Sequence, residues 1–259
     1  MAYKDIDLSK FTSIGIGPIS PVFIIEENRV IPDNHTIIGH GNNLLIGPSH
    51  PPLMMLGKSF DYIKIEDNKL IIGAATPSGK IVSFCKKHDI AGFEFLLKLP
   101  GVMGGLVKMN AGLKSYETFN HLYGITTEDG FILKEHIPHS YRHTDISGVI
   151  FEATFDINPG FDQDMVEKFM TMRDNQPQIK SAGSCFINPD KDFAGRLIEE
   201  VGLKGKKYGD MAFSEVHANF LANYREGTFE DAMNCINEAK KLVKEQFDIH
   251  LEVEIVIIN

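Results

Sequence analysis

Residues 92–112 read GFEFLLKLPGVMGGLVKMNAG, and this stretch restricts the fold more than any other part of the chain. Pro100, Gly101, Gly104, Gly105 and Gly112 stand among apolar neighbours, where glycine and proline are costly in any regular element. Such a segment is either close backbone packing beneath a sheet or a surface pressed against a flat or phosphorylated ligand. A second glycine-bracketed segment, Gly39-His40-Gly41-Asn42-Asn43-Leu44, follows the apolar run at Ile37. Glycine brings amide N–H groups close to an anion, and Asn42 and Asn43 add donors and tolerate left-handed geometry. Leu44 stands where a dinucleotide fingerprint needs its third glycine, and Pro48, Pro51 and Pro52 break any following helix. Taken by itself, such a loop is more often an ordinary strand-turn than a cofactor site.

Around these segments the pattern mixes strands and helices. Val22–Ile25 and Ile37–Gly39 are short apolar runs, and Ile63–Ile65 and Leu70–Ile72 flank Asp67-Asn68 as in a hairpin. Thr76-Pro77 opens a helix running through Ile81, Val82 and Cys85 to about Lys87. Glu128-Asp129-Gly130 signals another hairpin, and alternation over Val149–Ile157 predicts a half-buried strand. Asn158-Pro159-Gly160 is the clearest boundary. Beyond it come helices near Gln163–Asp174 and Phe193–Val201, the latter stopped by Gly202. Thr228-Phe229-Glu230-Asp231 resembles a capping box, and Ala232, Ile236, Ala239, Val243 and Phe247 recur at helical spacing. A strand over Leu251–Ile258 closes the chain. The order is α+β without clean βαβ alternation. It predicts an N-terminal unit over 1–158, itself split into about 1–60 and 61–158, and a smaller C-terminal unit over 159–259.

Charge excludes some functions. With 26 Lys and Arg against 35 Asp and Glu the net charge is −9, so a nucleic-acid partner is not expected. No apolar run approaches the ~20 residues that span a bilayer. The polar start MAYKDIDLSKF does not read as a secretory leader, so the expected location is the cytoplasm, with no membrane partner. Cys85, Cys185 and Cys235 are sparse and odd in number, which fits a reducing compartment and argues against a disulfide framework. Ten histidines lack ligand spacing, so no metal is expected.

The motifs accumulate in one order along nearly the whole chain. They are Phe11-Thr12-Ser13-Ile14-Gly15-Ile16-Gly17, GHGNNLL at 39–45, LPGVMGG at 99–105, MNAG at 109–112 and Tyr141-Arg142. SAGSCFINP at 181–189, AGRLIEEVGLKG at 194–205, SEVHANF at 214–220 and LEVEI at 251–255 follow. In these the chain resembles the UDP-N-acetylenolpyruvoylglucosamine reductase family, also called UDP-N-acetylmuramate dehydrogenases. The resemblance implies an FAD-binding fold of the vanillyl-alcohol-oxidase type, with two subdomains on the N-terminal side and a C-terminal substrate domain. It also implies an enzyme of bacterial cell-wall (peptidoglycan) synthesis that uses FAD and NADPH to reduce a UDP-sugar enolpyruvyl ether, expected as a monomer. The short interval between Arg142 and Ser184 leaves little room for a further tyrosine-bearing loop, which marks the shorter subtype. Departures from the family pattern are His40 and Asn42 for Gly and Ser, Ile187 for a common lysine, and Leu113-Lys114-Ser115 after MNAG.

The resemblance also supplies candidate residues. Gly39, His40, Gly41, Asn42, Asn43 and Leu44, with Pro100, Gly101, Gly104, Gly105, Asn110, Ala111 and Gly112, fall to the cofactor. Arg142 suits a carboxylate clamp through its planar fork. Ser184 is the proposed acid, Cys185 its rival, and Glu254 the third member, on the strand face that Glu252 shares. Tyr141, Asn188, Lys204, His217 and Asn219 fall to the UDP-sugar. The bland readings are a surface salt bridge for Arg142, a turn serine for Ser184, an edge-strand glutamate for Glu254 and a satisfied core histidine for His217. Two other functions share these features: another flavoenzyme of the same fold, and a nucleotide-binding module without chemistry.

Overall fold

A computed structural model describes residues 3–27, 30–173 and 176–259. The chain forms two compact units. One comprises Met1–Lys4, Phe23–His40 and Leu53–Asp174, the other Asp5–Val22, Gly41–Pro52 and Asn175–Asn259. The content is α+β, as expected.

In the first unit, an antiparallel sheet runs in the order Gly130–Leu133, Leu122–Thr127, Ile150–Asp156, Lys69–Gly73 and Ile63–Glu66. Asp67 and Asn68 turn the last hairpin with φ of 47° and 58°, the left-handed pair that a tight two-residue turn requires. The helices Ser78–Lys87, Met103–Lys108 and Gln163–Met172 add Ile81, Val82, Met103, Leu106, Val107 and Phe169 to the core that Leu70, Ile72, Ala153 and Phe155 build. Pro77 itself is the N-cap of the first of these helices, and Thr76 is buried with its hydroxyl on the Tyr62 carbonyl at 3.0 Å. The strand Ile150–Asp156 is buried more fully than alternation predicts. It lies between two neighbours, and Ile150, Phe151, Ala153, Thr154 and Phe155 are all inside.

In the second unit, an antiparallel sheet runs Lys180–Ser184, Phe220–Asn223, Met211–Phe213 and Lys207–Tyr208. The helix Phe229–Phe247 opens with the full reciprocal capping box of Thr228 and Asp231 and buries Ala232, Cys235, Ile236, Ala239 and Val243. A shorter helix, Ala194–Glu200, ends before Gly202 at φ 73°. At the end of the chain only Val256–Ile258 is strand, paired in parallel with Leu44–Ile46. The preceding residues are irregular apart from a bridge between Val253 and Phe186. Leu251 and Ile255 are buried while Val253 is not, so the alternation expected over 251–258 does not hold.

The units do not divide where the Asn158-Pro159-Gly160 turn suggests. Phe169 packs in the first core, with Phe161 and Met165 against it, so the helix after that turn belongs to the first unit. Ile14, Ile16 and Leu45 pack in the second core, which draws two early segments into it. Among the described residues, no helix is long and apolar enough to cross a membrane, and no three His, Cys, Asp or Glu side chains gather as metal ligands.

Candidate active site

The first unit brings its two glycine segments together. A Cβ on Gly39 would lie 3.5 Å from Val102 Cγ2, an ordinary contact. The Gly104 amide donates to the Ala74 carbonyl at 2.8 Å, and a Cβ there would come within 3.0 Å of the Ala74 methyl. Gly104 is thus packed on the protein, whereas a Cβ on Gly105 would meet nothing within 4 Å. Gly101 has φ 139° and Pro100 is exposed. His40 is exposed at the end of its segment. Ala111 and Gly112 lie against the short return at residues 116–118, where Thr118 donates to the Ala111 carbonyl.

Tyr141 and Arg142 form the two-residue loop between His139–Ser140 and His143–Thr144. Arg142 has φ 60°, a region costing a non-glycine residue on the order of 1 kcal/mol. Its Nη1 donates to the Asn110 carbonyl at 3.3 Å and its Nη2 to the Gly112 carbonyl at 2.6 Å. The Tyr141 ring lies 4.9 Å from the guanidinium carbon. Arg173, which the sequence patterns do not single out, is buried beside Arg142. Burial, and the neighbouring guanidinium second, lower its pKa to about 10, so it remains a cation at neutral pH. Its Nη1 donates to the Lys98 carbonyl at 3.3 Å, and its Nε has no hydrogen-bond partner among the described residues. Two buried-side cations favour an anion in this region.

In the second unit, Gly41 (φ 70°) tucks against the Phe11 carbonyl, where a Cβ would lie at 2.9 Å. The Ser13 amide donates to the Gly41 carbonyl at 3.0 Å, and its hydroxyl to the Asn42 carbonyl at 3.3 Å. Asn43 donates its amide to the Glu254 carbonyl at 2.9 Å and accepts the Val256 amide at 3.0 Å, just ahead of strand residue Leu44.

Ser184 stands at a β-bulge. Ser181 pairs with Ala222 but Ser184 with Phe220, so one extra residue is accommodated, and Gly183 takes φ 83°. A bulge re-aims the side chain that follows it. The next residue, Cys185, is fully buried, and burial holds its thiol well above the ordinary range. Cys185 is therefore core, and Ser184 is the half-buried one of the pair. The Glu254 amide donates to the Cys185 carbonyl at 2.8 Å, and Glu254 is partly buried where Glu252 is exposed.

Ser184, Asn188, Lys204, His217 and Asn219 all line one cavity of about 320 Å³. Phe193 and Val216, exposed by 68% and 62%, form apolar parts of the same wall and were not legible as site residues. Asn188 accepts the Ala194 amide at 3.1 Å, and Lys204 pairs with Glu199 at 2.9 Å. Asn219 is 3% exposed; its amide nitrogen donates to the Phe186 carbonyl at 2.8 Å and its oxygen accepts the Phe186 amide at 3.0 Å. That is the geometry of a clamp on the Ser184 segment.

His217 accepts the Asn219 amide on Nδ1 at 3.3 Å. Burial holds its imidazole below the ordinary 6.5, and the Lys204 ammonium pushes the same way. The unfolded ring therefore binds its proton first as pH falls, and stability is lost from near pH 6.5 downward. Wild type should thus lose more melting temperature than His217→Gln between about pH 8 and about pH 5. Parallel melting curves would remove this role.

Residues 175–258 match the family model described as UDP-N-acetylenolpyruvoylglucosamine reductase, C-terminal domain. The sequence is 47% identical to the UDP-N-acetylenolpyruvoylglucosamine reductase of Helicobacter hepaticus over 98% of each chain. It is 45% identical to that of Campylobacter jejuni, over 98% of this chain and 99% of the other. The crystal structure of the UDP-N-acetylenolpyruvylglucosamine reductase from Thermus caldophilus superposes on the whole chain with TM-score 0.88 at 27% identity.

Proposed function

The chain belongs to the UDP-N-acetylenolpyruvoylglucosamine reductase family, and from this premise we infer that it reduces UDP-N-acetylglucosamine enolpyruvate to UDP-N-acetylmuramate for peptidoglycan synthesis, with NADPH as reductant and FAD as hydride carrier. The observation that carries the reading is the cavity that gathers Ser184, Asn188, Lys204 and His217.

The glycine segments fit a flat dinucleotide. Gly39 lies against Val102, and Gly105 leaves open the space a side chain would fill. Gly39, His40, the segment at 100–105, and Ala111 with Gly112 would hold FAD. Bound FAD would accept hydride from NADPH and deliver it to the vinyl β-carbon of the substrate.

This chain's residues then manage charge and proton. Arg142 takes the substrate carboxylate, on which negative charge builds, with the Arg173 cation beside it strengthening the local positive potential. Ser184 Oγ gives its proton to the α-carbon and regains one from solvent. A hydroxyl is a weak acid, yet a carbanion-like acceptor is basic enough to take its proton. Glu254, tied through its amide to Cys185 beside Ser184, acts as the protonated acid, donating its O–H to the same developing charge. Lys204 serves the pyrophosphate as a point charge, and Asn188, His217 and Tyr141 serve the UDP-sugar.

The test is anaerobic stopped-flow absorbance of the purified protein at the flavin band. NADPH should bleach the band, and UDP-N-acetylglucosamine enolpyruvate should restore it quickly. Bleaching without recovery would refute the substrate, and a protein that takes up no FAD on reconstitution would refute the whole reading.

A further inference from the structure

We propose that Asn110 is a positioning residue that fixes the orientation of Arg142, an inference that rests on Arg142 being the carboxylate clamp. Asn110 sits in the Met109–Gly112 segment assigned above to the cofactor, yet its side chain is directed into protein and is 0% exposed. Its amide nitrogen donates to Glu117 Oε2 at 2.9 Å and to the Ser140 carbonyl at 3.1 Å. Its amide oxygen accepts the Phe119 amide at 3.2 Å. Both amide hydrogens are committed, so the side chain has no donor left for a ligand.

Those bonds converge on the clamp. Ser140 is the last residue before the Tyr141-Arg142 loop, so the side chain of Asn110 holds the backbone on which Arg142 is mounted. The main-chain carbonyl of Asn110 accepts Arg142 Nη1 at 3.3 Å, next to the Gly112 carbonyl that accepts Nη2. One residue thus holds Arg142 at its root and at its tip. The φ of 40° at Asn110 suits an asparagine, which tolerates left-handed backbone. Glu117 anchors the amide from the opposite side, across the short ladder in which Gly112 pairs with Glu117. A guanidinium fixed on two carbonyls before substrate arrives needs no reorganisation as charge develops on the carboxylate.

The test compares substrate-driven flavin reoxidation in Asn110→Ala, Arg142→Ala and the double variant. Misplacing a reacting group by about 1 Å costs roughly a hundredfold, and a loss of that order is expected for Asn110→Ala. The double variant should be no slower than Arg142→Ala alone, because Asn110 acts only through the guanidinium. A purely structural role would multiply the two losses, and that result would overturn the proposal. Wild-type reoxidation by Asn110→Ala beside a collapsed Arg142→Ala would overturn it too, while leaving the clamp intact. Wild-type reoxidation by Arg142→Ala would overturn the clamp and the proposal together. Should the truncated protein fail to fold, Asn110→Asp combined with Glu117→Gln keeps the shape and the pairing with residue 117 but withdraws the donor from Ser140. The same non-additivity with Arg142→Ala is expected of it, and multiplying losses would again overturn the proposal.

Discussion

Ser184→Ala should bleach normally when mixed with NADPH and then stay bleached in the presence of the enolpyruvyl substrate. A general acid typically contributes about 10²–10⁴-fold, and a loss within that range is expected here. Cys185, the adjacent residue and more acidic by nature than a serine, is sealed in the second core and its thiol is pushed up by burial. Glu254 lies close through the backbone, but its assigned task is charge stabilisation, and one group cannot do both well in the same step. The bulge at Gly183 gives the expectation its physical basis. An extra residue in an antiparallel ladder leaves a pairing unmade, and the chain accepts that where the following side chain must be turned out of register. The substitution removes one oxygen, disturbs no packed apolar contact and should leave the melting temperature nearly unchanged. Reoxidation at the wild-type rate would refute the acid assignment. Loss of NADPH reduction as well would indicate that Ser184 shapes the flavin environment instead of delivering a proton.

Local signals carried much of the fold. The hairpin at Asp67-Asn68, the capping box at Thr228 and the stop at Gly202 all follow from residues within a few positions of one another. What could not be read was non-local. Leu44–Ile46 finds its strand partner at Val256–Ile258, on the far end of the chain, and this pairing draws an early glycine loop into the second unit. The strand Ile150–Asp156 looked half-buried because alternation reports one face only, and a central position in a sheet buries the other. The site shows the same division. Five polar residues of the C-terminal half, singled out by motif, share one cavity wall. Phe193 and Val216 on that wall carried no signal, since an exposed apolar residue is common on any surface. Nor did any pattern reveal that Asn110 and Asn219 use their amides inward, because an asparagine's partners depend on segments brought up by tertiary structure.

Asn219 separates a ligand contact from a clamp most sharply. Were it chiefly a contact to the UDP-sugar, Asn219→Ala would weaken substrate binding and leave stability alone. The geometry requires the opposite order of effects. Truncation leaves the amide and the carbonyl of Phe186 without their side-chain partner in a place that is fully buried. Each unsatisfied buried group costs about 1–3 kcal/mol, so a loss of roughly 2–6 kcal/mol is expected in denaturant unfolding. Phe186 is itself core, bridged to Val253, and Ile187 donates to the Glu252 carbonyl at 2.9 Å, so the loosened segment also carries the register of the Glu254 region. The Asn219 main chain still accepts the Cys185 amide at 2.6 Å in the variant, which keeps the strand paired and the protein folded at low temperature. Under those conditions the variant should bleach with NADPH and reoxidise slowly, because the bulge that aims Ser184 has lost its brace. Unchanged stability with a raised KM for the UDP-sugar would show instead that the amide leaves Phe186 for the ligand.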